Sequence, residues 1–285
     1  MQNISAEVFN EYETSNHRRT RNRPTPMRVV PPIRTERILE GLTIYLNRSL
    51  NNQIPPETGV FIPDGYRKDP ETVDIVLYLH GHNNGEPWKD NPYSPISRYF
   101  KNPYFPLREH LAKAGKNVIL IAPTLGERSE SGILVTKGGF NTYISSIIDA
   151  LKNLNVLSSW ARVRHIVVAA HSGGGSPMYC ILDTGDAMTQ NIKECWAFDS
   201  LYKPQSPKLF ADWAAKNPNK AFYTYYNSDK RGFTKNNACM LRKLATKKRL
   251  TNVFVPIDVA PASHMQIPIA YWATRIAASS FLDAI

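Results

Sequence analysis

The sequence predicts an α/β fold: a doubly wound, mostly parallel sheet within a single domain. From residue 41 onward, short apolar runs alternate with longer segments of helical pattern, which is typical of parallel strands joined by crossover helices. The chain has 285 residues, 42% of them hydrophobic. This length suffices for one large core, and α/β folds often reach this size without dividing.

Eight apolar runs are predicted strands. The first two, 41–46 and 59–63, have a short connection, which favours an antiparallel pair at one edge of the sheet. The next three, 73–79, 117–122 and 165–170, are almost continuously apolar, as expected for strands covered on both faces. The last three runs are 194–198, 221–226 and 252–257.

Helical patterns occupy the gaps between these strands, and their regular alternation with the strands favours the doubly wound arrangement. The predicted helices are 106–114, 141–153, 178–187, 207–216, 237–244 and 267–281.

The beginning of the chain differs from the rest because it is polar and rich in arginine and proline. Such a stretch buries little apolar surface, so we expect a flexible lead in residues 1–34 and one folded domain in 35–285. Met1–Thr20 holds no apolar run that fits a signal-peptide core, and no run of about 18 apolar residues occurs. We therefore expect no membrane span and a cytoplasmic location, unless a secretion signal has been trimmed away.

The net charge of +11 is concentrated in one stretch, Lys203–Arg249, where twelve Lys and Arg stand against two Asp, a surplus of ten. This stretch is either a solvated basic face or a surface that attracts an anionic partner. No signature of a nucleic-acid-binding module accompanies it, so no nucleic-acid partner is predicted. The three cysteines, at 180, 195 and 239, indicate free thiols rather than a disulfide framework or a zinc site, although one pair could form a disulfide in an exported protein.

The segment Ala170–Gly175, AHSGGG, stands between a buried strand and a helical pattern. A serine between small residues in this setting is typical of a nucleophile elbow, a tight turn in which the backbones approach closely. The alternatives are a glycine-rich helix cap and a phosphate-binding turn. No Walker lysine follows and the glycine spacing is not that of a dinucleotide site, so Ser172 is the predicted nucleophile and no cofactor is predicted.

The segment Leu79–Gly85, LHGHNNG, ends an earlier buried strand. A His-Gly turn at this point supplies one backbone N–H of an oxyanion hole, and the residue after the nucleophile supplies the other. The hole is therefore assigned to the backbone of His82 and Gly173. His80 and His82 could instead ligate a metal, but no matching cluster of further ligands is visible, so no metal is predicted.

A serine nucleophile needs a histidine base, and in this architecture the base follows the serine and the acid along the chain. His264 is the only histidine after Ser172, and it is the predicted base. The acid should be a carboxylate at a strand end between them. Asp199 follows 194–198 in an apolar setting, where an unpartnered carboxylate would be costly, whereas Asp229 follows 221–226 and precedes two basic residues. We favour Asp199 over Asp229, with Asp258 third.

These motifs and their order, from the elbow and the His-Gly turn to the late histidine, resemble the α/β-hydrolase superfamily over residues 41–285, most nearly its esterase-like members. The resemblance implies cleavage of a small-molecule or polymer ester by Ser172 through an acyl-enzyme. An amidase, peptidase or acyltransferase with the same triad, or a non-catalytic binding module that uses the basic stretch, is an alternative. An aromatic insertion over 87–105 is either part of a substrate pocket or a packed loop, and the loop 124–132 should open on the same edge of the sheet.

Overall fold

A mixed β-sheet runs through the residues that the structure, a computed structural model, describes: 34–38, 40–48, 50, 57–69, 71–82, 99–100, 105–227, 232–256 and 263–285. Its nine strands have the order β1-β2-β3-β5-β4-β6-β7-β8-β9. They are β1 Arg34–Ile38, β2 Gly41–Asn47, β3 Glu57–Pro63, β4 Thr72–Leu79, β5 Ile119–Pro123, β6 Arg162–His171, β7 Ile192–Phe198, β8 Ala221–Tyr225 and β9 Val253–Phe254.

The first three strands are antiparallel and the remaining pairs are parallel. β1 pairs with β2, β2 with β3, and β3 with β5 in antiparallel register. From β5 through β4, β6, β7 and β8 to β9 every pairing is parallel. The predicted antiparallel pair 41–46 and 59–63 and the predicted parallel sheet are thus confirmed, and all parallel strands end at one edge of the sheet.

Six α-helices are described, and they lie on both faces of the sheet. Phe222 and Tyr223 are neighbours in β8, so their side chains point to opposite faces. Phe222 stacks on Phe210 with 4.2 Å between ring centroids, whereas Tyr223 lies 3.7 Å from the Arg275 guanidinium. The helices are α1 Leu107–Lys113, α2 Gly139–Asn153, α3 Gly175–Thr184, α4 Ser206–Lys216, α5 Phe233–Lys248 and α6 Gln266–Ala278. Phe210 belongs to α4 and Arg275 to α6, so the doubly wound prediction is confirmed.

Two strands differ from the sequence prediction. β1 was not predicted, because its alternating polar residues give no apolar run; it begins at Arg34, the last residue of the expected flexible lead, and residues 1–33 of that lead lie outside the described residues. Of the predicted strand 252–257, Val253 and Phe254 form β9 and pair with β8, and residue 257 lies outside the described residues. Because Pro256 follows and lacks a backbone N–H, the ladder cannot continue through it.

The basic stretch Lys203–Arg249 covers α4 and α5. Asp212 of α4 binds Lys208 of the same helix at 2.7 Å and Lys248 of α5 at 2.8 Å, and the second ion pair joins the two helices. The three cysteines are free thiols, of which Cys195 is buried. No helix in the described ranges is long and apolar enough to cross a membrane.

Candidate active site

Ser172 stands at the carboxyl end of β6, in the middle of the sheet. β6 ends at His171, a short 3-10 turn covers Ser172–Gly174, and α3 begins directly after it. The φ angle of Ser172 is +53°, a left-handed conformation that is uncommon for a residue with a Cβ atom. A Cβ atom at position 174 would collide with the backbone carbonyl of Leu79, which is why glycine is needed there. The strand, the tight turn and the helix together form the predicted elbow and present the serine at the sheet edge.

A carboxylate lies at the end of the neighbouring strand, because β7 pairs with β6 in parallel and ends at Phe198. Asp199 follows with a φ angle of +46°. Its Oδ2 lies 2.6 Å from Nδ1 of His264. Its Oδ1 accepts hydrogen bonds from the Thr234 hydroxyl at 2.5 Å and from the backbone N–H of Asn227 at 3.1 Å. The structure therefore brings together the predicted acid and the predicted base, and both carboxylate oxygens are satisfied.

These hydrogen bonds decide the charge of the carboxylate. Burial would by itself raise the pKa of Asp199. The hydrogen bonds from the His264 ring, the Thr234 hydroxyl and the Asn227 amide outweigh burial, so the pKa of Asp199 is below its usual range. The side chain is thus an anion at neutral pH and can stabilise a positive charge on the imidazole of His264.

The ring of His264 packs against the residue that precedes the nucleophile. Its centroid lies 4.7 Å from that of His171, and Nε2 of His171 lies 3.1 Å from the backbone carbonyl of His264. Burial, with the proximity of His264, lowers the pKa of His171 to about 3. His171 is therefore neutral at neutral pH, with its proton on Nε2 donated to that carbonyl. This hydrogen bond ties the loop that carries His264 to the end of β6.

The His-Gly turn after β4 is held in place by its own histidine. The backbone N–H of Leu125 donates to Nε2 of His80 at 2.8 Å, so the proton of this neutral ring is on Nδ1, which donates to the carbonyl of Gly81 at 2.6 Å. The carbonyl and the following N–H point in opposite directions in a trans peptide, so the N–H of His82 points away from the His80 ring. Tyr99 stacks on that ring and donates its hydroxyl to the carbonyl of His82 at 2.7 Å.

The same turn lies directly against the elbow. A Cβ atom at Gly173 would collide with the ring of His82 and would lie 2.6 Å from Oγ of Ser129. A Cβ atom at Gly81 would lie 2.6 Å from Cβ of Ser172. The two predicted oxyanion-hole residues are therefore neighbours, and Ser129 shows that the loop 124–132 reaches the same edge of the sheet. His80 is engaged by the backbone on both ring nitrogens, and no cluster of metal-binding side chains occurs in the described part of the chain.

A cavity of about 350 Å³ opens beside the nucleophile. One wall carries Tyr202, whose ring meets that of His264 edge-on at 6.4 Å between centroids. Burial, then the charge of Asp199, raises the pKa of Tyr202, whereas an interaction with the Ser172 side chain opposes the rise. The described residues that line the cavity are His82, Ser172, Gly173, Ser176, Ser200, Tyr202 and Lys203.

Four of these lining residues were not predicted to belong to the site: Ser176, Ser200, Tyr202 and Lys203, of which Lys203 was named from the sequence as the first residue of the basic stretch. The loop after β7 carries three of them, and its position at the carboxyl end of a central strand was the available signal. The rival acids Asp229 and Asp258 lie outside the described residues. So does most of the aromatic insertion 87–105, of which Tyr99, Phe100 and Phe105 are described and buried.

Comparisons with known proteins agree with this architecture. No family model matches the sequence, and no curated protein sequence matches it. Among solved structures, a feruloyl esterase module from Clostridium thermocellum, in complex with sinapinate, is 14% identical over 85% of this chain and 88% of its own, with a TM-score of 0.54. An S-formylglutathione hydrolase from Agrobacterium tumefaciens is 12% identical over 87% of this chain and 100% of its own, with a TM-score of 0.51. Together with the strand order and the elbow at the end of β6, these similarities show that the chain has the α/β-hydrolase fold.

Proposed function

We propose that the protein is a serine hydrolase that cleaves carboxylic esters, with Ser172 as the nucleophile, His264 as the base and Asp199 as the acid. The observation that carries the proposal is the 2.6 Å hydrogen bond between His264 Nδ1 and Asp199 Oδ2, formed next to a serine held at a φ angle of +53°. Backbone strain of this kind persists where the surrounding structure enforces it, and it is common at active sites.

Asp199 fixes the tautomer of His264 that the reaction needs. Because Nδ1–H is donated to the carboxylate, Nε2 carries the lone pair and accepts the proton of Ser172 Oγ. As that proton leaves, Oγ forms a bond to the substrate carbonyl carbon. The imidazole becomes positively charged, and the anionic Asp199, kept ionised by its three hydrogen-bond donors, stabilises that charge.

The negative charge that develops on the carbonyl oxygen needs donors that are already in place. The backbone N–H groups of His82 and Gly173 would supply them. His80 holds the Gly81–His82 peptide in one orientation through its hydrogen bond to the Gly81 carbonyl, so the oxyanion would form without reorganisation of this turn. Collapse of the intermediate breaks the ester bond, and His264 returns its proton to the departing alcohol. Water then attacks the acyl-enzyme by the same route, releasing the acid and restoring Ser172.

Hydrolysis of esters is favoured over the other reactions of this triad by analogy alone. The two similar structures are named as a feruloyl esterase and an S-formylglutathione hydrolase, so both are acyl-group hydrolases by name. The cavity beside Ser172 has room for a small acyl or alcohol group.

Labelling with a fluorophosphonate probe tests the proposal directly, because the probe reacts only with an activated serine. We expect the parent protein to be labelled and to hydrolyse p-nitrophenyl acetate. Ser172→Ala should lose labelling and at least about a thousandfold in kcat. Ser159→Ala, which removes an exposed hydroxyl far from the site, is the matched control and should behave as the parent. Parent-like turnover in Ser172→Ala would exclude Ser172 as the nucleophile, and a folded parent that is not labelled would favour a binding module.

A further inference from the structure

The cavity beside Ser172 has an unbalanced charge. Lys203 is its single charged lining residue within the described ranges, and no Asp or Glu of those ranges lines it. The hydroxyl-bearing residues Ser176, Ser200 and Tyr202 accompany the lysine. A cavity lined by hydroxyl-bearing residues and a lysine, with no carboxylate among its described lining residues, offers hydrogen-bond donors to an anion.

The ammonium of Lys203 has only neutral neighbours among the residues that the structure describes. It lies 3.6 Å from Sγ of Cys180 and 5.0 Å above the centroid of the Tyr179 ring. No carboxylate of the described ranges lies within ion-pair distance of it, whereas Lys208 on the neighbouring helix α4 is paired with Asp212. A half-buried ammonium that lacks a counterion gains more from an approaching anion than a paired or fully hydrated one.

Ser200 carries a second polar group in the cavity that has no hydrogen-bond partner in the described part of the chain. The residue is 3% exposed, and its Oγ is buried. A buried hydroxyl without a partner is costly. Rotation about its Cα–Cβ bond toward the cavity would let the hydroxyl donate to a substrate oxygen, as a buried polar group at a recognition site does.

We propose that this cavity recognises a free carboxylate on the substrate, with Lys203 as the specificity-determining residue, so that the enzyme prefers esters that carry an anionic group over neutral esters of the same shape. The inference rests on the proposed function, since the ester bond is cleaved at Ser172. Lys203 takes part in no bond change. The reaction consumes the ester and one water and yields a carboxylic acid and an alcohol, and the recognised carboxylate leaves unchanged on one of the two products.

Matched pairs of esters test this proposal. On the acyl side, monoethyl adipate is compared with ethyl hexanoate, in which a methyl group replaces the carboxylate. On the alcohol side, 6-acetoxyhexanoate is compared with hexyl acetate, in which a methyl group again replaces the carboxylate. The measured quantity is the ratio of kcat/KM for the anionic ester to kcat/KM for its neutral match. We expect a ratio of about ten or more in one of the pairs, which corresponds to a single partly desolvated ion pair, and a fall of this ratio as salt is added.

Lys203→Met should bring that ratio down about tenfold, toward one, while Lys203→Arg should retain the preference. Lys216→Met, which removes an exposed charge at the end of α4, is the matched control and should keep the parent ratio. A parent ratio near one in both pairs, or a parent ratio retained in Lys203→Met, would overturn the proposal. Either outcome would contradict the role of Lys203 alone. The proposed function is still supported if the parent hydrolyses the neutral esters and Ser172→Ala abolishes that hydrolysis. If the parent hydrolyses no ester of either pair and is not labelled by the fluorophosphonate probe, the proposed function itself fails.

Discussion

The exchange Asp199→Asn isolates the role of the proposed acid, because the structure dictates how the new amide will be oriented. Oδ1 of Asp199 accepts from two donors, the Thr234 hydroxyl and the Asn227 N–H, so the amide oxygen will occupy that position. The NH₂ group must then replace Oδ2 and face Nδ1 of His264. An amide NH₂ donates, so it forces Nδ1 to become the acceptor and moves the ring proton to Nε2.

A histidine with its proton on Nε2 cannot accept the proton of Ser172, so we expect kcat to fall about ten-thousandfold. This factor corresponds to about 5 kcal/mol of transition-state stabilisation. Because both original donors to Oδ1 keep an acceptor, we expect Tm to change by only a few degrees. The assay is saturation kinetics with p-nitrophenyl acetate, together with thermal unfolding of the same preparations.

Asp229→Asn is the matched comparison, since Asp229 is the rival carboxylate from the sequence. We expect its kcat to remain within a few-fold of the parent value. If Asp199→Asn keeps more than a tenth of the parent kcat, or if Asp229→Asn shows the larger loss, Asp199 is not the acid and the tautomer argument is wrong.

Three further predictions follow from contacts around the site. Gly81→Ala would place a Cβ atom 2.6 Å from Cβ of Ser172, so the turn or Ser172 must shift. We expect kcat to fall about a hundredfold and Tm to fall by several degrees, and an unchanged kcat would show that the displacement does not reach Ser172. Thr234→Val removes a donor to the Asp199 anion, so kcat should fall about tenfold with KM unchanged. Thr234→Ser keeps the hydroxyl and should restore kcat. A parent-like kcat in Thr234→Val would exclude a positioning role for Thr234. Burial lowers the pKa of His171 from 6.5 to about 3, so the unfolded state binds more protons between these values and stability falls as pH drops below 6.5. The contribution lost by pH 5 is about 2 kcal/mol, and urea unfolding should show a smaller difference between pH 7 and pH 5 in His171→Gln than in the parent.

The parts of the fold and site that depend on local sequence could be predicted. Residues 170–175 carry the strand end, the small residues and the start of α3 within one short segment, so the elbow was visible without a structure. The buried parallel strands were visible for the same reason, since each is covered on both faces and is therefore apolar throughout. β1 could not be predicted in this way, because an edge strand with alternating polar residues contains no continuous apolar run.

Groups that reach the site from distant parts of the chain could not be predicted. Thr234 hydrogen-bonds to Asp199 across 35 positions, and Tyr99 reaches the carbonyl of His82 across 17. Neither belongs to a motif, because a hydroxyl donor can come from any element that the fold carries to the right place. The choice between Asp199 and Asp229 had the same origin: both follow strands that end at one edge of the sheet, and the contacts of the His264 ring with Asp199 and His171 are a property of tertiary packing.

The left-handed backbone of Ser172 and Asp199 also bears on how the protein would respond to selection for stability. Each of these non-glycine residues occupies a φ region that costs on the order of 1 kcal/mol, and glycine adopts that region without the cost. A library screened only for resistance to heat should therefore accept glycine at position 172 and select against the very atom that the proposed chemistry needs. Under the proposed function, the variant of this elbow with the highest stability is therefore inactive. The backbone strain at Ser172 is the stability that the fold gives up in order to present a reactive hydroxyl.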